Sequence, residues 1–188
     1  MSVLLSAIRA LAPISPALEA ALAATIRQEE VPARQLLLQP GQVAQRLYFI
    51  EQGLARGYAL HAGQEVSSWF MLEGDFVISI VSFLTQQPST EYIELLEPSI
   101  LHSVSYQQLQ ELYATFPEFN YVGRVLTERY YVQSEQRAHQ LRTLPAKERY
   151  ARLVEDFPNL GQRVPQKYLA SHLGISPETL SRLRAKRT

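Results

Sequence analysis

The sequence has 188 residues, 46% of them hydrophobic and 10% aromatic, enough for one large domain or two small ones. It has no cysteine, which excludes disulfides, cysteine-ligated iron–sulfur clusters and thiol switching. Basic and acidic residues balance at 18 each, but from residue 142 onward there are 10 basic against 4 acidic, leaving 8 against 14 before it. A basic C-terminal part on an acidic body is the footprint of a small DNA-binding domain joined to a sensing or assembly domain.

The N-terminus shows no basic stretch ahead of an apolar signal core, and no run of about 18 apolar residues occurs, so a cytoplasmic protein without a membrane partner is expected. Residues 3 to 27 alternate short helical patterns around Pro13 and Pro16. Ser15 reads as an N-cap with Pro16 first inside, starting a helix that runs to about Ile26. From Val31 to about Ser105 short apolar or alternating runs are separated by turns. They are Arg34–Leu38, Leu47–Ile50, Leu54–Leu60, Val66–Leu72, Glu91–Leu96 and Ile100–Ser105. Strands spaced by roughly 8–12 residues predict an antiparallel sandwich or barrel. Gly53, Gly63 and Gly74 fall where turns need backbone angles other residues resist.

Between Phe76 and Ser89 the rhythm breaks. Val77–Leu84 reads as a short helix or an irregular apolar crossing, and Thr85–Thr90 as a polar loop. Such an insertion either lines a pocket or is a plain buried connection, and both readings stand.

Tyr106–Tyr113 is a short helix with Ser105 as candidate cap. After Pro117 a helical run extends from about Glu118 to Leu144, with Phe119, Val122, Leu126, Tyr130 and Gln133 recurring at helical spacing. At about 26 residues it spans about 39 Å, longer than a small domain needs. It is expected to dock on the barrel and pair with its mate in a homodimer, the alternative being a helix packed within one subunit. Pro145–Asp156 is a second amphipathic helix, presenting Tyr150, Leu153, Val154 and Phe157 to a small core, with Pro158 and Gly161 ending it.

The last stretch carries the sharpest signal. Leu169, Ala170 and Leu173 share one helical face, Gly174 suits a left-handed helix end, and Ile175 fills the corner. Ser176 is a good N-cap and Pro177 suits the first helical position. Leu180 and Leu183 then face inward, leaving Glu178, Thr179, Ser181, Arg182 and Arg184 mostly outward. This is a helix-turn-helix, whose second helix enters the DNA major groove; the plainer reading is a helical hairpin with a glycine cap. Ser176, Glu178, Thr179, Ser181, Arg182 and Lys186 are the candidate DNA-binding residues. Arg182 suits guanine O6 and N7, with a phosphate contact as its alternative, Glu178 suits a cytosine amino group, and Ser181 a base edge.

Barrel, long helix and C-terminal helix-turn-helix, in that order, resemble the Crp/Fnr family of bacterial transcription regulators. Gly41–Gly53 looks like the family's strand–loop–strand, Glu73–Phe76 like the turn before its phosphate-binding cassette, and Ser176–Leu183 like its recognition helix. Glu178, Ser181 and Arg182 fit the Glu-x-x-Ser-Arg pattern of the Fnr-type branch. The resemblance implies an α+β fold: an antiparallel β-roll (jelly-roll) sensor over residues 1–116, a dimerisation helix over 117–143, and an all-α helix-turn-helix domain over 144–188. It implies a dimer on a palindromic operator, with RNA polymerase a further expected partner and no enzymatic activity, cofactor or metal.

The chain departs from the family at two places. Cyclic-AMP-binding members carry a Gly-Glu pair and an Arg-Ser pair, the Glu on the ribose and the Arg on the phosphate. Those positions fall here at Ile78 and Ser79, and at Ser89 and Thr90, and no arginine lies between Arg56 and Arg124. Without a guanidinium partner a buried phosphate loses its strongest contact, so the effector is expected to be an unknown small molecule other than cyclic AMP. Family members also continue into a β-hairpin wing, whereas this chain stops at Thr188. Backbone contacts are therefore expected from Arg163, Lys167, Lys186 and Arg187. The rival readings are a ligand-binding or scaffold protein whose helix-turn-helix no longer reads DNA, and a cupin-type barrel enzyme. The enzyme needs clustered histidines and a carboxylate, and His61 and His102 are isolated in sequence. A haem sensor on His61, His102 or His139 is a minor alternative.

Overall fold

Ser15 accepts the Leu18 N–H through Oγ at 3.2 Å and Pro16 takes the first turn, which starts α2 (Pro16–Thr25) where the sequence places it. It follows α1 (Ser2–Leu11), and the pair buries Leu4, Ile8, Leu18 and Leu22. These details come from a computed structural model that describes residues 1–185. Eight strands follow among the described residues, interrupted once by a helix. They are β1 (Arg27–Val31), β2 (Leu36–Leu38), β3 (Arg46–Gln52), β4 (Ala55–His61), β5 (Gln64–Met71), β6 (Phe76–Val77), α3 (Ile80–Thr85), β7 (Tyr92–Leu95) and β8 (Ser99–Ser105).

The strands make two four-stranded sheets, ordered β1-β8-β3-β6 and β2-β7-β4-β5. β8 pairs antiparallel with both β1 and β3, β3 with β6, and β2 with β7. The class is α+β, an antiparallel β-roll carried with helices before and after it. β8 is buried along nearly its whole length. Leu47, Phe49, His102 and Val104 on its sheet meet Leu4, Ile8 and Leu22 of the N-terminal helices around a cavity of about 40 Å³. Two turns show why glycine stands where it does. At the β4–β5 hairpin, Ala62 and Gly63 both have positive φ (50° and 76°), as a two-residue hairpin turn of the right twist requires. Gly53 has φ 111°, and a Cβ there would collide with Ser99.

The long C-terminal part opens with α4 (Tyr106–Thr115), held by a reciprocal capping box between Ser105 and Gln108. Then come α5 (Pro117–Thr143), α6 (Ala146–Asp156), α7 (Leu160–Arg163), α8 (Gln166–His172) and α9 (Pro177–Ala185). The structure differs from the sequence reading in two elements. Arg27–Val31 is a strand, although its Arg-Gln-Glu-Glu-Val sequence has no apolar alternation. It is an exposed edge strand held by its backbone to β8, so burial never imposed a pattern on it. Gly161 does not simply end α6; it lies inside the short α7.

The chain divides into two compact units. The first joins Met1–Gly57 to Phe70–Arg129, and the second joins Tyr58–Trp69 to the residues from Tyr130 on. Phe49, Ile50, Phe83, Leu95 and Leu101 are fully buried in the first, and Leu160, Leu169, Ala170 and Leu180 in the second.

Candidate nucleic-acid interface and sensor cassette

α8 ends because Gly174 adopts φ +64°. Its N–H then donates to Ser171 O at 3.0 Å, and the Ile175 N–H to Ala170 O at 3.0 Å, the double closure of a Schellman cap. Two residues later Ser176 Oγ accepts the Thr179 N–H at 3.2 Å and starts α9. The turn between the helices is thus fixed at both ends by local chemistry. Leu169, Ala170, Leu173 and Leu180 are at most 4% exposed, so the two helices hold each other through one apolar seam, with no side chain larger than a methyl at Ala170.

That seam determines what α9 shows to solvent. Ser176, Glu178, Ser181 and Arg182 are exposed and Thr179 is half-buried. Arg182 Nη2 donates to Thr179 Oγ1 at 3.1 Å. The Glu178 carboxyl is held below the usual carboxylate range by its own backbone N–H, then by the Ser176 hydroxyl and the nearby Arg182 charge. The face therefore offers a guanidinium, a carboxylate and hydroxyls within one and a half turns. Lys167 is exposed, with its ammonium 4.7 Å from the Tyr168 ring centre, and Arg163 is half-buried. Lys186 and Arg187 lie outside the described residues.

Sequence reasoning missed the support beneath α8. Within the second unit, Ser171 Oγ accepts the Ser67 N–H at 2.8 Å and donates to Glu65 O at 3.0 Å, tying the helix to the distal part of the β4–β5 hairpin. Arg137 of α5 completes the tie. Its Nη2 donates to Ser67 O (3.3 Å) and His172 O (3.2 Å), and its Nη1 faces His172 Nε2 at 3.0 Å. Burial, then the Arg137 charge, pushes the His172 imidazole down to about 3, against a partial pull upward from the backbone at Ser67 and Ser68. Burial also lowers Arg137 to about 10. The imidazole is therefore neutral, and Arg137 donates to its lone pair.

The first unit holds the cassette residues. Phe76–Ser89 resolves the open reading as a short helix, α3, followed by Gln86 in the left-handed region at φ 53°. Ser79 and Ser89 are buried and come together, their hydroxyls 3.4 Å apart, while Ile78 is half-buried and Thr90 exposed. Glu91 meets both serines, through its carboxylate at Ser79 and its backbone at Ser89. Ser79 Oγ donates to Glu91 Oε1 at 2.6 Å, and Ser89 Oγ bonds both the N–H (3.0 Å) and the O (3.1 Å) of Glu91. The buried guanidinium of β4, Arg56, pairs with Glu94 of β7 at 2.7 Å. Ser82 is committed to Ala44 N–H and Gln87 O. The cassette thus presents a carboxylate, not a guanidinium, beside Ser79.

The histidines disperse. His61 and His139 are exposed, whereas His102 is buried and hydrogen-bonded through Nε2 to Glu51. Among the described residues no three His, Cys, Asp or Glu side chains gather as metal ligands. No helix among them is long and apolar enough to cross a membrane. On α5, Tyr121 of the first unit and Tyr131, Val132 and Leu141 of the second are 40–66% exposed.

Residues 28–116 match the cyclic nucleotide-binding domain family. The fold is shared with solved regulators. The c-di-GMP-responsive global regulator CLP of Xanthomonas campestris is 21% identical over 92% of this chain and 91% of its own, with a TM-score of 0.73. FixK2 of Bradyrhizobium japonicum is 17% identical over 86% and 84%, also at 0.73. A transcriptional regulator of the Crp/Fnr family from Eubacterium rectale is 16% identical over 90% and 82%, at 0.69. No curated protein sequence matches the chain significantly.

Proposed function

We propose that this Crp/Fnr-like chain is a dimeric, cytoplasmic transcription regulator that reads a palindromic DNA site through α9 and performs no catalysis. The observation that carries the reading is the solvent face of α9, where a buried Leu180 and a Ser176 cap leave Glu178, Ser181 and Arg182 pointing outward together. In the major groove Arg182 donates two parallel bonds to guanine O6 and N7, Glu178 accepts from a cytosine amino group, and Ser181 reaches a neighbouring edge. Arg182 leaves Thr179 to do so, and the hydroxyl it releases is then available to a phosphate or base. Lys167 and Lys186 supply sequence-independent phosphate contacts. The exposed Tyr131 and Val132 of α5 supply a dimer surface, and a two-fold dimer matches two half-sites about one helical turn apart.

The domain roles follow. Residues 1–116 are the sensor, 117–143 the dimerisation helix and 144–188 the reading head, with RNA polymerase the partner that converts occupancy into transcription. The sensor takes an effector other than cyclic AMP, because the Glu91 carboxylate bonded to Ser79 repels a cyclic phosphate.

Fluorescence anisotropy with Arg182→Ala tests the reading. Loss of about 1–3 kcal/mol of discrimination between the preferred site and random duplex is expected, while Lys186→Ala weakens both alike. Equal loss on both duplexes for Arg182→Ala would contradict base reading.

A further inference from the structure

Three apolar side chains of α3 face solvent. Ile80, Val81 and Leu84 are 50%, 72% and 59% exposed and lie on one side of the helix. The side chains between them fix that orientation. Phe83 is buried edge-on against the Tyr106 ring, with centroids 5.2 Å apart. Ser82 Oγ accepts the Ala44 N–H at 2.9 Å and donates to Gln87 O. Neighbouring exposed aliphatic side chains cost solvation until something covers them.

The surroundings of α3 are uncharged. Residues 35–45 and 76–90 contain no Asp, Glu, Lys, Arg or His. The fold joins these two segments: the Gly41 N–H donates to Ser89 O at 2.9 Å, the Ser89 N–H donates to Gln42 O at 2.7 Å, and Val43 bridges to Pro88. Gln45 Nε2 donates to Gln86 Oε1 at 3.4 Å. The result is an apolar centre with a rim of glutamine amides, each both donor and acceptor. Such a surface is complementary to itself. In a two-fold contact every residue near the axis meets its own counterpart. A charge there would meet a like charge, whereas aliphatic groups and amides pair with their own kind. The first 141 residues carry 14 acidic against 8 basic side chains, so this part of two copies repels except through an uncharged face. The same charge disfavours an anionic lipid surface.

We infer that the α3 face is a self-association surface, covered by the same face of a second copy of the chain. Ile80, Val81 and Leu84 meet their counterparts at its centre, with Gln45, Thr85 and Gln87 at the rim. A patch this small gives a weak contact, formed at high concentration or between copies already held side by side. It uses no residue of α5 or α9, so it links one dimer of the proposed kind to another and requires neither that dimer nor DNA.

The test is a concentration series of amide ¹H–¹⁵N correlation spectra on the full chain carrying Val132→Glu, which removes the proposed α5 pairing and leaves α3 unchanged. Saturable, concentration-dependent shifts are expected at Ile80, Val81, Leu84 and Gln86, little affected by salt. Adding Val81→Glu or Leu84→Glu should weaken the association at least about tenfold, since each copy then sets its carboxylate against another. Val81→Ile should retain it. Val3→Glu, the same charge on the exposed valine of α1, should leave it unchanged. No concentration dependence, saturable shifts only elsewhere, or an equal loss with Val3→Glu would overturn the surface. Shifts at these amides on adding phosphatidylcholine vesicles, with none on raising the protein concentration, would also overturn it, since they would place a neutral lipid surface on α3.

Discussion

Leu180 has no solvent exposure, and every outward residue of α9 takes its direction from it. Leu180→Ala leaves a cavity in the seam with α8 and is expected to cost about 2–5 kcal/mol, read as a lower urea midpoint for the second unit. His172 makes the second unit sensitive to acid. Its folded pKa of about 3 lies below the unfolded value of 6.5, so the unfolded state binds the proton first. The contribution of His172 is complete above about pH 6.5 and is lost progressively as pH falls toward 3, amounting to a few kcal/mol at most. Urea unfolding at pH 7.5 and pH 5 should show a clear loss of stability at the lower pH, and His172→Asn should flatten that slope. An unchanged slope in the variant would assign the acid sensitivity to other groups.

At the scale of elements, the helix-turn-helix was legible because its signals are local. Gly174, Ser176, Pro177 and the Leu169–Leu173–Leu180 spacing state the turn and both faces within a dozen residues, and the dihedral angles and caps agree. The long helix was legible for the same reason, starting at Pro117 and stopping before Pro145. β1 was not legible, since an exposed edge strand needs no apolar pattern. The tie between Ser67 and Ser171 was not legible either. Two serines about a hundred positions apart carry no periodic signal, and only the fold shows that one hydroxyl serves two hairpin backbone groups. The Glu91 carboxylate in the cassette was not legible, since a glutamate twelve positions from Ser79 carries no periodic signal and only the fold brings the two together. Ser171→Ala leaves the buried Ser67 N–H without its acceptor and should cost about 1–3 kcal/mol. Hydrogen exchange at the Ser67 amide should then speed up by about tenfold or more, whereas an unchanged rate would mean that the tie does not hold α8 to the hairpin.

The proposed regulator, with a cyclic nucleotide-binding-type roll before its helix-turn-helix, acts as two copies. α5 is about 40 Å long, and in the proposed dimer its exposed Tyr131 and Val132 are covered by the partner helix. Val132→Glu is expected to shift the chain from dimer to monomer in sedimentation equilibrium and to lower affinity for a two-half-site operator far more than for one half-site. A wild type that stays monomeric at high concentration would contradict the dimer. At the sensor, isothermal titration with cyclic AMP should show no binding at micromolar concentrations, because the Glu91 carboxylate is already bonded to Ser79.

DNA reading by α9 is tested by a genomic selection on the purified full chain, sequencing bound fragments with and without cell metabolites. An enriched palindrome with half-sites about one helical turn apart is expected. Metabolite dependence of that enrichment would show a working sensor. No enriched motif in either condition would contradict DNA reading by α9.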